Sequence, residues 1–192
     1  MRALFLTLPA AMALAACVEV DMTVEILGDD EARVFGYMQL QRQAFDMSGA
    51  DASFCPETEG GTLVLTETHA RCEIERVGTF AEIMDVDAAS ESPTDMQGQL
   101  TALGDNRVRV MLPLGNMTSD IENLAEQPEM LSMVRQMMEG MSISLSVQGR
   151  VIESSNGRIS ADGTRATYSL DVDDLLVAEP TRLEDFVTVA RH

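Results

Sequence analysis

The feature that most restricts the fold is a run of strict alternation near the start of the chain. Val18, Val20, Met22, Val24 and Ile26 are apolar, and Glu19, Asp21, Thr23 and Glu25 between them are polar. A period of two puts all five apolar side chains on one face of an extended strand and scatters them around a helix. The signature recurs along the chain. Val34, Met38 and Leu40 share a face within 32–40, and strand signals return at 62–68 and 71–77. Val108, Val110, Leu112 and Leu114 make an inward face, with Arg107 and Arg109 outward. Ile143, Leu145 and Val147 alternate with serines and Gln148, and Ala166, Tyr168, Leu170 and Val172 repeat the pattern. Turn chemistry punctuates these runs at Gly28-Asp29-Asp30, Gly104-Asp105-Asn106, Asn156-Gly157 and Asp162-Gly163. Asn-Gly is a strong hairpin dipeptide, because both residues tolerate positive φ.

Helical signals are fewer. Residues 80–86 predict a short helix, and residues 46–61 and 88–94 read as polar loops. A helical stretch runs from Thr118 to Gly140 with Pro128 inside it. Proline suits a first helical turn and not an interior, so the stretch divides into 119–126 and 128–139. Residues 183–189 fit a last strand or a helix. The expected class is α+β: a mostly antiparallel sheet with the central helical segment packed on one face and the other face partly wet. A β-sandwich is the competing architecture. At 192 residues, 45% of them hydrophobic, one domain with a real core is expected.

The N-terminus sets the compartment. Met1-Arg2 precedes an uncharged, largely apolar run from Ala3 to Ala16. Fourteen residues are too few for a membrane-spanning helix but suit a signal peptide. The run ends Leu14-Ala15-Ala16-Cys17, which resembles the lipobox of bacterial lipoproteins, where the cysteine is lipidated and becomes the new N-terminus. An ordinary signal peptide with a chance cysteine is the plainer alternative. The lipobox divides the chain into a signal segment, 1–16, and a single mature domain, 17–192, held to the membrane by N-terminal acyl chains. Val18 stands where proteobacterial inner-membrane lipoproteins typically carry Asp, so the resemblance implies an outer-membrane lipoprotein facing the periplasm. Cys55 and Cys72 remain, an even number for an oxidising compartment, and a disulfide between them is expected. Two free thiols or a metal pair are the alternatives. Sixteen intervening residues match no zinc spacing.

A family resemblance follows from the element order. A lipobox is followed at once by the strand Val20-Asp21-Met22-Thr23-Val24. Later come Gly149-Arg150-Val151-Ile152-Glu153-Ser154-Ser155-Asn156-Gly157, Ile159-Ser160-Ala161-Asp162-Gly163 and Ala166-Thr167-Tyr168-Ser169-Leu170. This resembles the LppM-like domain of bacterial lipoproteins. The resemblance implies an α+β envelope domain with a suspected role in binding lipid or glycolipid and no catalytic residues. Many actinobacterial members add a C-terminal transmembrane helix and a basic tail; this chain ends at Arg191-His192 with neither.

Composition narrows the function. The formal charge is −19, and all 13 basic residues are arginine. A phosphate-binding footprint is missing, so nucleic acid is not an expected partner. With no lysine, Schiff-base, P-loop and Ser-x-x-Lys chemistries are excluded. There is no His-Glu-x-x-His and no Gly-x-Ser-x-Gly, and His69 is the sole internal histidine. A lone histidine in a strand region is more often structural. Asp171, Asp173 and Asp174 lack the glycine spacing of a calcium loop. The chain is therefore expected to be non-enzymatic and to need no cofactor or metal.

The sharpest local feature is methionine. Seven of the 14 fall between 111 and 141, and Met130, Met133, Val134, Met137, Met138 and Met141 lie on one helical stripe. Unbranched thioethers repack around varied shapes. The stripe reads as a core face, as an adaptable face for acyl chains or for a partner protein of the envelope, or as soft ligands for Cu(I), with His69 and His192 distant in sequence. No polar tether separates Cys17 from the first strand, so the domain should lie close to the headgroups. The leading expectation is a lipoprotein that binds a lipid or other apolar ligand. The runner-up is an envelope interaction or assembly factor that docks a partner through its methionine-rich helix.

Overall fold

The computed structural model describes residues 18–48, 54–57, 60–84, 98–114, 141–171 and 183–192. Eleven strands and two short helices occupy these segments, and the strands sort into two sheets. The larger sheet contains β1 (Glu19–Ile26), β2 (Glu31–Gln41), β3 (Gly61–Leu65), β4 (His69–Thr79), β7 (Ser142–Gln148), β9 (Arg158–Ile159) and β10 (Arg165–Asp171), in the order β3-β4-β2-β1-β7-β10-β9. The smaller one contains β5 (Gln99–Gly104), β6 (Arg107–Leu112), β8 (Val151–Ser155) and β11 (Phe186–Arg191), in the order β5-β6-β11-β8. Helices α1 (Arg42–Ser48) and α2 (Phe80–Met84) follow β2 and β4.

The alternating strand is β1, and it is central. It pairs antiparallel with β2, Val24 opposite Val34, and parallel with β7, Val24 opposite Val147. The other pairs are antiparallel. In-register pairing puts the apolar set of each strand on one side. Val24, Ile26, Ala32, Ile143, Leu145, Val147, Ala166 and Leu170 are buried there. They share one core with Val108, Val110, Ile152, Phe186 and Ala190 of the smaller sheet, and with Phe80 of α2. The molecule is thus β-rich, with two sheets around a common core, which fits the sandwich alternative better than a single sheet backed by helix. The predicted helices at 119–126 and 128–139 lie outside the described residues.

Several local expectations need correction. The predicted loop over 46–61 begins too early in the chain: α1 spans Arg42–Ser48. Arg42 and Asp46, one turn apart, are joined at 2.9 Å, and Phe45 is buried edge-on to Phe54, centroids 5.4 Å apart. A four-residue spacing and a tertiary aromatic contact stabilise a segment whose composition looks like loop. Residues 183–189 resolve into strand β11, Phe186–Arg191. Asp105 and Asn106 carry φ of 55° and 59°, the paired positive values of a type I′ turn, and the expected turn at Gly104-Asp105-Asn106 closes the hairpin β5–β6.

Asn156-Gly157 does not make a hairpin. β8 before it belongs to the smaller sheet and β9 after it to the larger one. The chain crosses between sheets here, and crosses the other way between β7 and β8 at Gly149-Arg150. Asn156 holds the crossing: its Nδ2 donates to Asp185 O at 2.8 Å, and its Oδ1 accepts from Val187 N at 2.8 Å. Gly157 passes so close that a Cβ would lie 2.7 Å from the Phe186 ring and 2.8 Å from Thr167 O. The dipeptide supplies close approach and side-chain clamping rather than a two-residue turn.

Candidate functional site

Alternation has a second consequence. The residues that β1, β2, β4, β7 and β10 turn away from the core line up on the outer face of the larger sheet. Registers place Thr23 opposite Phe35 and Ser146, Asp21 opposite Tyr37 and Ser144, Tyr37 opposite Glu73, and Thr167 opposite Ser146. The middle of this face is as closed as the core: Thr23 is 2% and Ser146 3% exposed. Ser146 Oγ and Thr167 Oγ1 are 2.9 Å apart, and Arg165 reaches over β7 to bring Nη1 within 3.5 Å of Thr23 Oγ1 while Nη2 donates to Gln148 Oε1 at 2.7 Å.

Beside this closed strip lies a cleft of about 440 Å³. Ligand pockets commonly fall between about 300 and 1,000 Å³. Its walls include Asp21, Arg33, Tyr37, Arg71, Glu73 and Arg165, over a floor at Phe35 and Gly36. Gly36 is required by close approach, because a Cβ there would sit 2.0 Å from the Asp21 carbonyl oxygen. Two arginines stack on the aromatics: the Arg71 guanidinium lies 3.7 Å from the Tyr37 ring centroid, and that of Arg33 lies 4.8 Å from the Phe35 centroid. Arg33 also pairs with Glu75 at 2.8 Å and with Glu25 at 3.6 Å. Arg71 Nε is 3.3 Å from Glu73 Oε1, but the geometry makes no hydrogen bond, and the buried Nε atoms of Arg33 and Arg71 have no hydrogen-bond partner among the described residues. Tyr37 Oη donates to Glu19 Oε1 at 2.6 Å. That bond, then burial and the charges of Glu19 and Asp21, raise the Tyr37 pKa above its ordinary value.

A second hollow, of about 690 Å³, lies at the start of α1 and is lined by Arg42, Asp46, Met47, Thr68 and His69 among others. Two pairs of its polar groups bond to each other. Arg42 pairs with Asp46, and His69 Nδ1 is 2.8 Å from Thr68 Oγ1. The sole internal histidine thus has the neighbouring Thr68 hydroxyl as its hydrogen-bond partner.

The fold has a counterpart among solved structures. The chain is similar in fold to LppM. The NMR structure of the folded domain of Mycobacterium tuberculosis LppM aligns with a TM-score of 0.52 over 93% of this chain and 91% of that one, at 14% identity. Identity so low makes this a likeness of fold. No family model matches the chain, and no curated protein does.

The sequence-predicted site residues fare differently. Cys55 and Cys72 are joined by a disulfide, Cα atoms 5.3 Å apart, which ties the segment before β3 to the middle of β4. Met141 is half-buried and packs against the core cluster. Met130, Met133, Val134, Met137 and Met138 lie outside the described residues, as do the lipidation cysteine Cys17 and the acids Asp173 and Asp174. Among the described residues there is no group of three or more His, Cys, Asp or Glu placed to hold a metal ion, and no helix long and apolar enough to cross a membrane. The outer-face cleft was not foreseen. A signal for it existed in Arg33-x-Phe35-x-Tyr37, two aromatics at the outward positions of a strand whose inward set is already apolar.

Proposed function

We propose that this protein is a non-enzymatic bacterial lipoprotein, anchored through Cys17 in the outer membrane and facing the periplasm, whose domain binds a lipid or another apolar ligand. The observation that carries the reading is the junction at the N-terminus. The lipobox Leu14-Ala15-Ala16-Cys17 ends two residues before β1 starts at Glu19. At about 3.3 Å per extended residue, the central strand of the larger sheet begins within roughly 7 Å of the acylated cysteine. A folded domain held this close to the bilayer has direct access to lipid. The methionine-rich stretch supplies the side chains best suited to varied acyl shapes. The fold shared with LppM supports a lipoprotein-type domain.

Cys17→Ala tests the anchor. The variant should leave the membrane fraction and appear in the soluble periplasmic fraction. Retention in the membrane overturns the lipobox assignment. The ligand is tested separately by native mass spectrometry of the protein extracted from its own envelope, which should carry bound lipid. Repeatedly empty protein that also fails to bind an acyl probe removes the apolar-ligand part and leaves the anchor intact.

A further inference from the structure

The outer-face cleft holds two opposite charges that have no ion-pair partner among the described residues. Arg33 and Arg71 have acidic partners in Glu75, Glu25 and Glu73. Arg165 has none: its bonds go to the neutral Gln148 amide and the Thr23 hydroxyl, and it makes no ion pair among the described residues. The carboxylate of Asp21, half-buried on β1, makes no side-chain hydrogen bond or ion pair with any described residue. Both line the same cleft, on either side of Thr23. A half-buried charge without a partner is costly, and this chain could have placed another Glu by Arg165 at no loss of net negative charge. Aromatic rings lie under the guanidinium groups of Arg33 and Arg71, whose buried Nε atoms have no hydrogen-bond partner among the described residues.

We infer that this cleft is a binding site for a small zwitterion, an ammonium group set against Asp21 and an anionic oxygen group set against Arg165. The guanidinium fork suits phosphate or carboxylate oxygens. The Asp21 carboxylate, acceptor-only when ionised, suits an ammonium donor. Neither a simple anion nor a simple cation satisfies both residues. Among the described residues no methionine lines the cleft, and a zwitterion is a ligand of different chemistry from the apolar one proposed above. The zwitterion has two possible sources, a soluble molecule or an aminophospholipid headgroup. Asp21 is four residues past Cys17, about 13 Å of extended chain at most, so headgroups are within reach.

The test is calorimetry and amide NMR of the full chain in detergent micelles, titrated with O-phosphoethanolamine. Saturable binding is expected, with shifts centred on Asp21, Thr23, Tyr37 and Arg165. Ethanolamine alone and inorganic phosphate alone should each bind at least tenfold more weakly. Asp21→Asn and Arg165→Gln should each weaken binding at least tenfold with the rest of the spectrum unchanged. Should either variant misfold, the comparison of the zwitterion with its two halves on the unaltered chain decides. Phosphate binding as tightly as the zwitterion, shifts outside the cleft, or no saturation at millimolar concentrations overturns the inference. Vesicles separate the sources: competition by phosphatidylethanolamine but not phosphatidylglycerol assigns a headgroup, and competition by neither assigns a soluble ligand.

Discussion

The two faces of the larger sheet are built by the same strands and solve opposite problems. On the inner face Val24, Leu145 and Val147 meet the smaller sheet and exclude water. Burial alone holds them, and any well-packed apolar side chain of similar volume would serve. On the outer face Thr23 and Ser146 are just as inaccessible, yet polar. Ser146 pairs with the Thr167 hydroxyl, and one long arginine laid across β7 reaches Thr23. A face that needed only to be wet would not be closed this way. The inner side buries apolar side chains against the second sheet, whereas the outer side buries hydroxyls, one of which meets the charged Arg165 at the edge of a cleft.

The largest expected effect is on the inner face. Leu145→Ala removes a buried side chain at the centre of the core and should cost about 2–5 kcal/mol, measured as a shift of the denaturant midpoint. A cost near zero would mean the two sheets do not share that core. On the outer face Ser146→Ala loses only the bond to Thr167, and about 1 kcal/mol is expected in the same measurement. A loss as large as that of Leu145→Ala would erase the contrast between the faces.

The smallest effect is a titration. The Tyr37 pKa is raised, first by its hydrogen bond to Glu19, so the phenol holds its proton more tightly in the folded state. The associated stability is fully present below the unfolded tyrosine pKa and is lost as pH rises through the folded value. Ultraviolet titration of the tyrosinate should therefore show Tyr37 ionising above the ordinary range, with Glu19→Gln moving it back down. Ionisation at the ordinary value in the unaltered protein would remove the hydrogen bond from the description of the cleft.

Strand content was legible because alternation is a local property. Each residue of β1 needs only its neighbours two positions away to declare its face, and turns such as Asp105-Asn106 declare themselves by the φ they tolerate. Helix α1 was missed because Phe45 is stabilised by Phe54, which local pattern does not report. Asn156-Gly157 was misassigned for a related reason. The dipeptide signals close approach and tolerance of special backbone, and it serves a crossing between sheets as well as a hairpin.

By itself, the sequence determined the alternating strands and their inward sets, within an expected α+β class that the structure moved toward a sandwich, and a cysteine pair spaced to close a loop. Only the tertiary structure decided which strands share a sheet, because pairing β1 with β7 joins segments far apart in the chain, and no local period encodes the partner. The same non-local step brought Arg165 onto Thr23, 142 residues away, beside Asp21. Charge partners are set by distance in space, so two ordinary residues among many acids and arginines came to line one cleft only when the strands closed around them.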